Sequence, residues 1–375
     1  MRTHVFIVNE DTFPIHLQYM FAGTGAKEKD EEPSLLADIS RVRPHDFVIF
    51  YIEGSAKVKG GFYGIFQVAD TYPVVFHTPG SHAFHPNLPK KLIYRTKIKP
   101  YEVYSEGVPE WEALDKLPVY ATEIQWSLIY RKLKGKRGCT PLLPWEAKRL
   151  IDMIRNKNNG KFIANQNYKG GFDWDNTNRR IITTPTSQPY NLPFKQPINP
   201  LPIICQKFST RKAYEVYLQL YFTQSIRKSA SLNPIVGKNV IWFGNEVACG
   251  VGMQKIDILS INRVNGRKEY RIIELKDESV KPNVVEQIEY YVNWASQSSG
   301  RHLDGAYNWN IQPVIVAPPH KPKDWQSIVN AFRAFNTKKI SLPILYFEFQ
   351  PKCGESIIFQ KVNYEQECER NNPDF

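Results

Sequence analysis

Short runs of clustered or alternating apolar residues dominate the first 165 positions: "HVFIV", "DFVIFYIE", "GFYGIFQVA", "PVVFH" and "KLIYRTKIK". β-Branched and aromatic residues fill them and turn residues separate them, which predicts strands. The period then changes. "PWEAKRLIDMIRNK" reads as a helix, with Pro144 near its start and Glu146 beside the positive helix end. Residues 1–165 are therefore expected to form a mixed, mostly β domain. Residues 166–203 lack periodicity and are rich in Pro and Asn, so they read as a linker. Their aromatics Phe172, Trp174, Tyr190 and Phe194 suggest that this linker lies against a domain. From 204 to 375 the pattern is α/β. A helix at "TRKAYEVYLQLYFTQS" precedes strands at "VIWFGNEVA", "QKIDILSINRV" and "KEYRIIELK". Then come a helix at "NVVEQIEYYVNWASQ", a strand at "QPVIVAPP", a helix at "DWQSIVNAFRAF" and a strand at "LPILYFEF".

Composition narrows the class without changing this outline. The 375 residues include no apolar run of about 18, so no membrane span is expected. The start, "MRTHVFIVNEDTFP", is too short in its apolar part for a signal peptide. Five scattered cysteines without a CxxC pair argue against a zinc site or a disulfide framework, and for a reducing cytoplasm. The formal net charge is +12, and much of the excess is local. Between Ser127 and Lys161, ten Lys/Arg face only Glu146 and Asp152. Such a cluster suits a polyanion, most simply nucleic acid, although a solvated basic face has the same composition. His77, His82 and His85 in "HTPGSHAFH" have no carboxylate partner and read as loop residues, not metal ligands.

One stretch breaks the hydrophobic pattern. "KIDILSINRVNGRKEYRIIELK" is a hairpin by its Asn265-Gly266 turn, yet each strand places an acid among Ile and Leu. A two-residue turn pairs Val264 with Arg267, and counting outward sets Asp257 opposite Glu274. Opposed residues have Cβ atoms roughly 4.5–5.5 Å apart on one face, and Lys276 shares that face by the period of two. Ile256, Ile258, Leu259, Ile272, Ile273 and Leu275 make the strands apolar on both faces, as interior strands are. Two buried carboxylates at that spacing repel unless a cation compensates. Lys276 is one such cation, and Mg²⁺ or Mn²⁺ is another. The plainer alternative is a surface face on which Lys276 pairs with the two acids.

Asp257 and the Glu274-Leu275-Lys276 run resemble the D…(D/E)xK core of the PD-(D/E)xK nuclease superfamily. Gln287 and Tyr291 in "EQIEYYV" resemble the Q…Y helix motif of NucS-type mismatch endonucleases and RecB-like nucleases. This resemblance covers about residues 204–350. It implies an α/β domain with a central mixed sheet, Mg²⁺ or Mn²⁺ held by Asp257, Glu274 and Glu215, and a catalytic set of Asp257, Glu274, Lys276, Gln287 and Glu215. Without the resemblance, Gln287 and Tyr291 would read as one ordinary helix face.

Residues 3–165 resemble the PUA-like group, in particular EVE and YTH domains. "RPHDFVIFYIEG" and "GGFYGIFQVA" carry the likeness, with His45-Asp46 in place of the usual Gly-Asp. The group implies a small barrel-like module that takes one flipped, often modified, base into an aromatic pocket. Tyr19, Phe21, Tyr51 and Trp126 are the candidate pocket residues, with Trp111 in reserve, and Arg131, Lys132, Lys134, Lys136 and Arg137 are candidate phosphate contacts. The combined expectation is a metal-dependent DNA endonuclease of restriction type acting on modified-base DNA. One active site cuts one strand, so a duplex cutter is expected to be a homodimer. Two alternatives stay open: a NucS-type repair endonuclease for mismatched or deaminated bases, and a non-catalytic RNA- or DNA-binding protein.

Overall fold

The computed structural model describes residues 2–25, 31–54, 59–78, 92–115, 138–191, 195–249, 254–299 and 310–365. Two compact units divide the chain, Met1–Ile198 and Asn199–Phe375.

The first unit is built on a mixed sheet with strand order Phe21–Thr24, Tyr94–Pro100, Gly61–Val68, Phe47–Ile52, Thr3–Val8 and Cys139–Leu142. Thr3–Val8 runs parallel to Phe47–Ile52, and the helix Pro144–Lys157 packs Ala147, Leu150 and Ile154 with Val5, Ile49 and Phe62. Glu146 closes the first turn of that helix, its carboxylate accepting the Leu143 N–H at 2.9 Å.

Part of the stretch read as a linker, 166–203, has regular structure. Gly171–Asp175 and Arg180–Thr184 form a hairpin. Alternation turns Phe172 and Trp174 inward: Trp174 meets Phe13 at 5.1 Å and Tyr63 at 4.9 Å, and Phe172 meets Phe66 at 5.8 Å. Prolines and asparagines around five-residue strands hid a period too short to register.

The second unit centres on a six-stranded mixed sheet, counted among the described residues. Its order is Val240–Cys249, Gln254–Val264, Arg267–Leu275, Asn310–Ala317, Leu345–Lys352 and Ser356–Val362. The first three strands pair antiparallel with one another, as do the last two, and the two pairings between them are parallel. Leu218 and Phe222 of the helix Glu215–Ser225 cover one face with Ile258, Ile273, Leu275, Val316 and Phe347. On the other face, Trp325 and Phe332 of the helix Pro322–Thr337 pack on Tyr346, and the helix Val284–Ser299 lies beside them. Both faces are thus dry, which is why these strands read as continuous apolar runs.

The cysteines depart from the sequence expectation. Cys205 of the helix Leu201–Thr210 is disulfide-bonded to Cys353 at the end of Leu345–Lys352, 148 residues away. Sequence spacing carries no trace of a partner that only the sheet topology brings within 5.8 Å, Cα to Cα. Cys139 and Cys249 are buried thiols. No helix among the described residues is long and apolar enough to cross a membrane.

Candidate active site

The hairpin turn is built by two left-handed residues, Asn265 at φ 49° and Gly266 at φ 75°, as a type I′ turn requires. From Val264↔Arg267 the pairing runs without slip to Ile258↔Ile273, so Asp257 follows next on one strand and Glu274 on the other. Ile256, Ile258, Leu259, Ile272, Ile273 and Leu275 are all fully buried around them.

Within this apolar frame, Asp257 is 9% exposed and Glu274 only 2%. The Leu275 N–H donates to Asp257 Oδ2 at 2.8 Å, which fixes the carboxylate across the ladder. Lys276 pairs with Glu274 Oε1 and reaches Gln287 Oε1 at 3.4 Å. Gln287 in turn donates to Tyr291 Oη at 2.6 Å, and Tyr291 donates to the Lys255 carbonyl at 2.7 Å. The i, i+4 spacing on the helix Val284–Ser299 therefore serves a chain of bonds that starts at the lysine. The helix Glu215–Ser225 is anchored to the same place, because Asp277 Oδ2 accepts the N–H groups of Tyr214 at 2.9 Å and Glu215 at 3.4 Å.

Electrostatics follow from burial. Desolvation, then the Glu274 and Glu215 carboxylates, push the Asp257 carboxyl well above its usual range. Burial also raises Glu274, with Lys276 opposing it. Glu215 is lifted to about 7 by burial, against Lys276 and with help from Asp277 and Glu274. Burial disfavours the Lys276 ammonium, but Glu274 outweighs it and holds the lysine above its ordinary value. One ammonium thus faces three carboxyl groups that all resist ionising.

A cation fits that demand. No N–H or hydroxyl donor reaches the buried Glu274 Oε2, and the Asp257 and Gln287 side chains are the neighbours that bond to this carboxyl. Asp257 and Glu274 are hard oxygen donors that suit Mg²⁺, an ion usually held by one or two carboxylates together with water and phosphate. Among the described residues no three His, Cys, Asp or Glu converge into a ready-made cage. Glu215 is therefore close enough to interact electrostatically without completing such a cluster.

Three participants went unread in the sequence. Asp277 caps a helix 62 residues earlier in the chain, a relation that no local pattern carries. Glu246 is level with Asp257, because Asn245↔Ile258 and Val247↔Ile256 bracket the two. It has a left-handed φ of 50° inside a strand and bonds Lys255 at 2.8 Å and Gln219 at 3.1 Å. The broken alternation in "FGNEVA" was the available signal. Gln219, 4% exposed, also takes a bond from Asn245 at 3.1 Å.

Of the candidate base-pocket aromatics in the first unit, the structure places Phe21 and Tyr51 in the packed interior. Phe21 is buried under the Arg95 guanidinium at 4.9 Å, Tyr51 is buried and bonded to Glu110, and Tyr19 packs against the cluster of Ile15, Phe21 and Leu92. Trp111 is 47% exposed beneath the Lys59 ammonium. Large side chains at strand positions had the sheet core to fill, and packing claimed them. Trp126 and the phosphate candidates Arg131, Lys132, Lys134, Lys136 and Arg137 lie outside the described residues. A small pocket of about 60 Å³ lies elsewhere among the described residues, lined by Asn9, Thr12, His16, Thr24, Glu53 and others. His16 is 1% exposed, its Nδ1 donates to the Phe21 carbonyl at 2.9 Å, and its Nε2 is without a partner. Burial drives its pKa down to about 3, so the ring is neutral and Nε2 is an acceptor.

No family model and no curated protein matches the chain by sequence. Among solved structures, a hypothetical protein from Leishmania major shares 10% identity at a TM-score of 0.31, over 42% of this chain and 96% of its own. Human THYN1, solved in complex with 5-methylcytosine containing DNA, shares 9% identity at a TM-score of 0.30, over 41% of this chain and 98% of its own. A protein from Pseudomonas syringae shares 12% identity at a TM-score of 0.28, over 40% of this chain and 99% of its own.

Proposed function

We propose that the chain is a metal-dependent endodeoxyribonuclease whose second unit hydrolyses a phosphodiester and whose first unit takes up a base. The observation that carries this reading is the buried Asp257–Glu274 pair, with Lys276 beside it. Two carboxyl groups side by side in the dry part of a sheet are costly to keep for structure alone.

Asp257 and Glu274 are the residues that would hold Mg²⁺. When bound, the ion would supply a Lewis acid that draws charge from the scissile phosphate. The chain's own groups do the rest. Lys276, held by Glu274 and Gln287, aims an ammonium at the attacking water and at charge developing on the phosphate. The Leu275 N–H keeps the Asp257 carboxylate from turning away. Hydrolysis by the D-ExK arrangement leaves a 5′-phosphate and a 3′-hydroxyl. In the first unit, the small pocket lined by His16 is the candidate place for an extruded base, with the buried Nε2 as an acceptor in its wall.

The finer reading is restriction of DNA carrying modified bases. It is tested by incubating the protein with Mg²⁺ or Mn²⁺ and duplexes that are plain, methylated, mismatched or uracil-containing. Preferential cutting of the methylated duplex is expected, and Asp257→Ala is expected to abolish it. A preference for mismatches or uracil would move the assignment to repair. No cutting of any nucleic acid by the wild type would sink the nuclease reading.

A further inference from the structure

A second group of titratable side chains lies along the same end of the sheet. The parallel register pairs Leu275 with Val316 and Ala317 with Glu348, and the Lys276 N–H donates to the Val316 carbonyl at 2.9 Å. Lys276, Ala317 and Glu348 therefore form one row across three adjacent strands, on one face. Two strand spacings separate the lysine from the glutamate, about 10 Å. The residue between them is an alanine, so no side chain blocks the row.

Over that row sits His320, three residues beyond Ala317. Glu348 Oε1 accepts its backbone N–H at 2.8 Å and its Nδ1–H at 2.5 Å, and accepts the Tyr346 hydroxyl at 3.1 Å. A carboxylate only accepts, so Nδ1 carries the hydrogen bonded to it, and Nε2 is the nitrogen left to exchange a proton. The ring stacks on Trp325 at 4.0 Å and 23°, with the imidazole 23% exposed. Ser279 ties the loop after Lys276 to this one by donating to the Pro319 carbonyl at 3.0 Å. The two loops also share charges. Lys281 is bonded to Glu278 and holds that carboxyl below its usual value, with Lys321 and Lys276 adding to the effect. Glu348 lies beneath His320 and Lys321 and Asp324 follow it in the chain, while Glu278 of the facing loop feels both Lys321 and Lys276.

A histidine clamped by a carboxylate at one nitrogen, stacked on an aromatic ring and open at the other nitrogen is arranged for proton transfer. Building on the nuclease reading, we infer that His320 is a catalytic proton donor to the leaving oxygen of the phosphodiester, with Glu348 and Trp325 as its positioning residues. The water oxygen bonds to phosphorus as the bond from phosphorus to the 3′-oxygen breaks. The Nε2 proton passes to that 3′-oxygen, the water's proton is released to solvent, and His320 is reprotonated from solvent.

The test compares two duplex substrates, an ordinary one and one with sulfur in place of the bridging 3′-oxygen. A thiolate leaves without protonation. His320→Gln is expected to slow cleavage of ordinary DNA about 10²-fold, and of the sulfur-bridged DNA less than about fivefold. Glu348→Gln, which keeps the fold if the first variant does not, is expected to show the same contrast at about 10-fold. Equal losses on both substrates, or no loss on either, would overturn this role alone. A wild type that cuts neither substrate would remove the nuclease reading and this role together.

Discussion

The hairpin at 254–275 and the cavity beside His16 are both polar intrusions into apolar surroundings, yet they are specified in opposite ways. In the hairpin everything follows from one local event. Asn265 and Gly266 take left-handed conformations, the register is set, and the two acids meet eight positions to either side of the turn. The cavity has no such origin. Asn9, His16, Thr24 and Glu53 come from separate segments, and only the folded sheet brings them to one space. Local chemistry can be counted along a chain, whereas a space left between elements cannot.

The contrast breaks most sharply at the turn. Inserting one residue between Asn265 and Gly266 shifts every pair of the hairpin, which flips side chains to the wrong face. Cleavage is expected to fall on the order of 10²-fold or more, while the melting transition of the first unit stays in place. Retained cleavage would show that the register does not set the acid pair.

Metal-free stability probes the same pair without relying on activity. Asp257 and Glu274 bind protons more tightly folded than unfolded. Their contribution is therefore present below the ordinary carboxylate range and is lost as pH rises through their folded values. The second unit without metal is expected to melt at a lower temperature at pH 8 than at pH 5. Asp257→Asn should flatten that slope. Mg²⁺ at 100 times its dissociation constant should restore about 2.7 kcal/mol to the wild type and little to the variant. A wild-type transition indifferent to both pH and Mg²⁺ would show that the pair holds no cation.

The cavity's smaller effect has the opposite sign. His16 resists protonation when folded, its pKa being about 3, so its contribution is present above about pH 6.5 and lost as pH falls. By pH 5 the first unit should lose about 2 kcal/mol on this account. Buried His4 is lowered in the same direction by desolvation, so it steepens the acid side too. His16→Gln should remove part of the slope, measured as melting temperature between pH 5 and 7. An unchanged slope would assign the acid sensitivity elsewhere.

The same division explains what the chain disclosed beforehand. The strands and helices of the second unit were legible because long apolar runs bounded by turns have few alternatives, and Asp257, Glu274 and Lys276 stood out as charges inside them. Asp277 and Glu246 did not, since their roles exist only between neighbouring elements. In the first unit, Phe21 and Tyr51 looked like ligand contacts because aromatics suit both stacking and cores. The core claimed them, while the more modest Asn9, Thr12 and His16 line the open space. Trp174 and Phe172 were noticed as aromatics in a loop-like stretch, but strands of five residues are too short to announce themselves.

The Asp277 cap has a mechanical consequence. Four successive residues, Glu274 to Asp277, carry a buried acid, a core leucine, the ammonium and the anchor of the helix that bears Glu215. Strand and helix are thereby geared together at a single tooth. Any motion that slides the hairpin end also drags the first turn of the helix, so Glu215 keeps step with the carboxylates it faces and is not left behind.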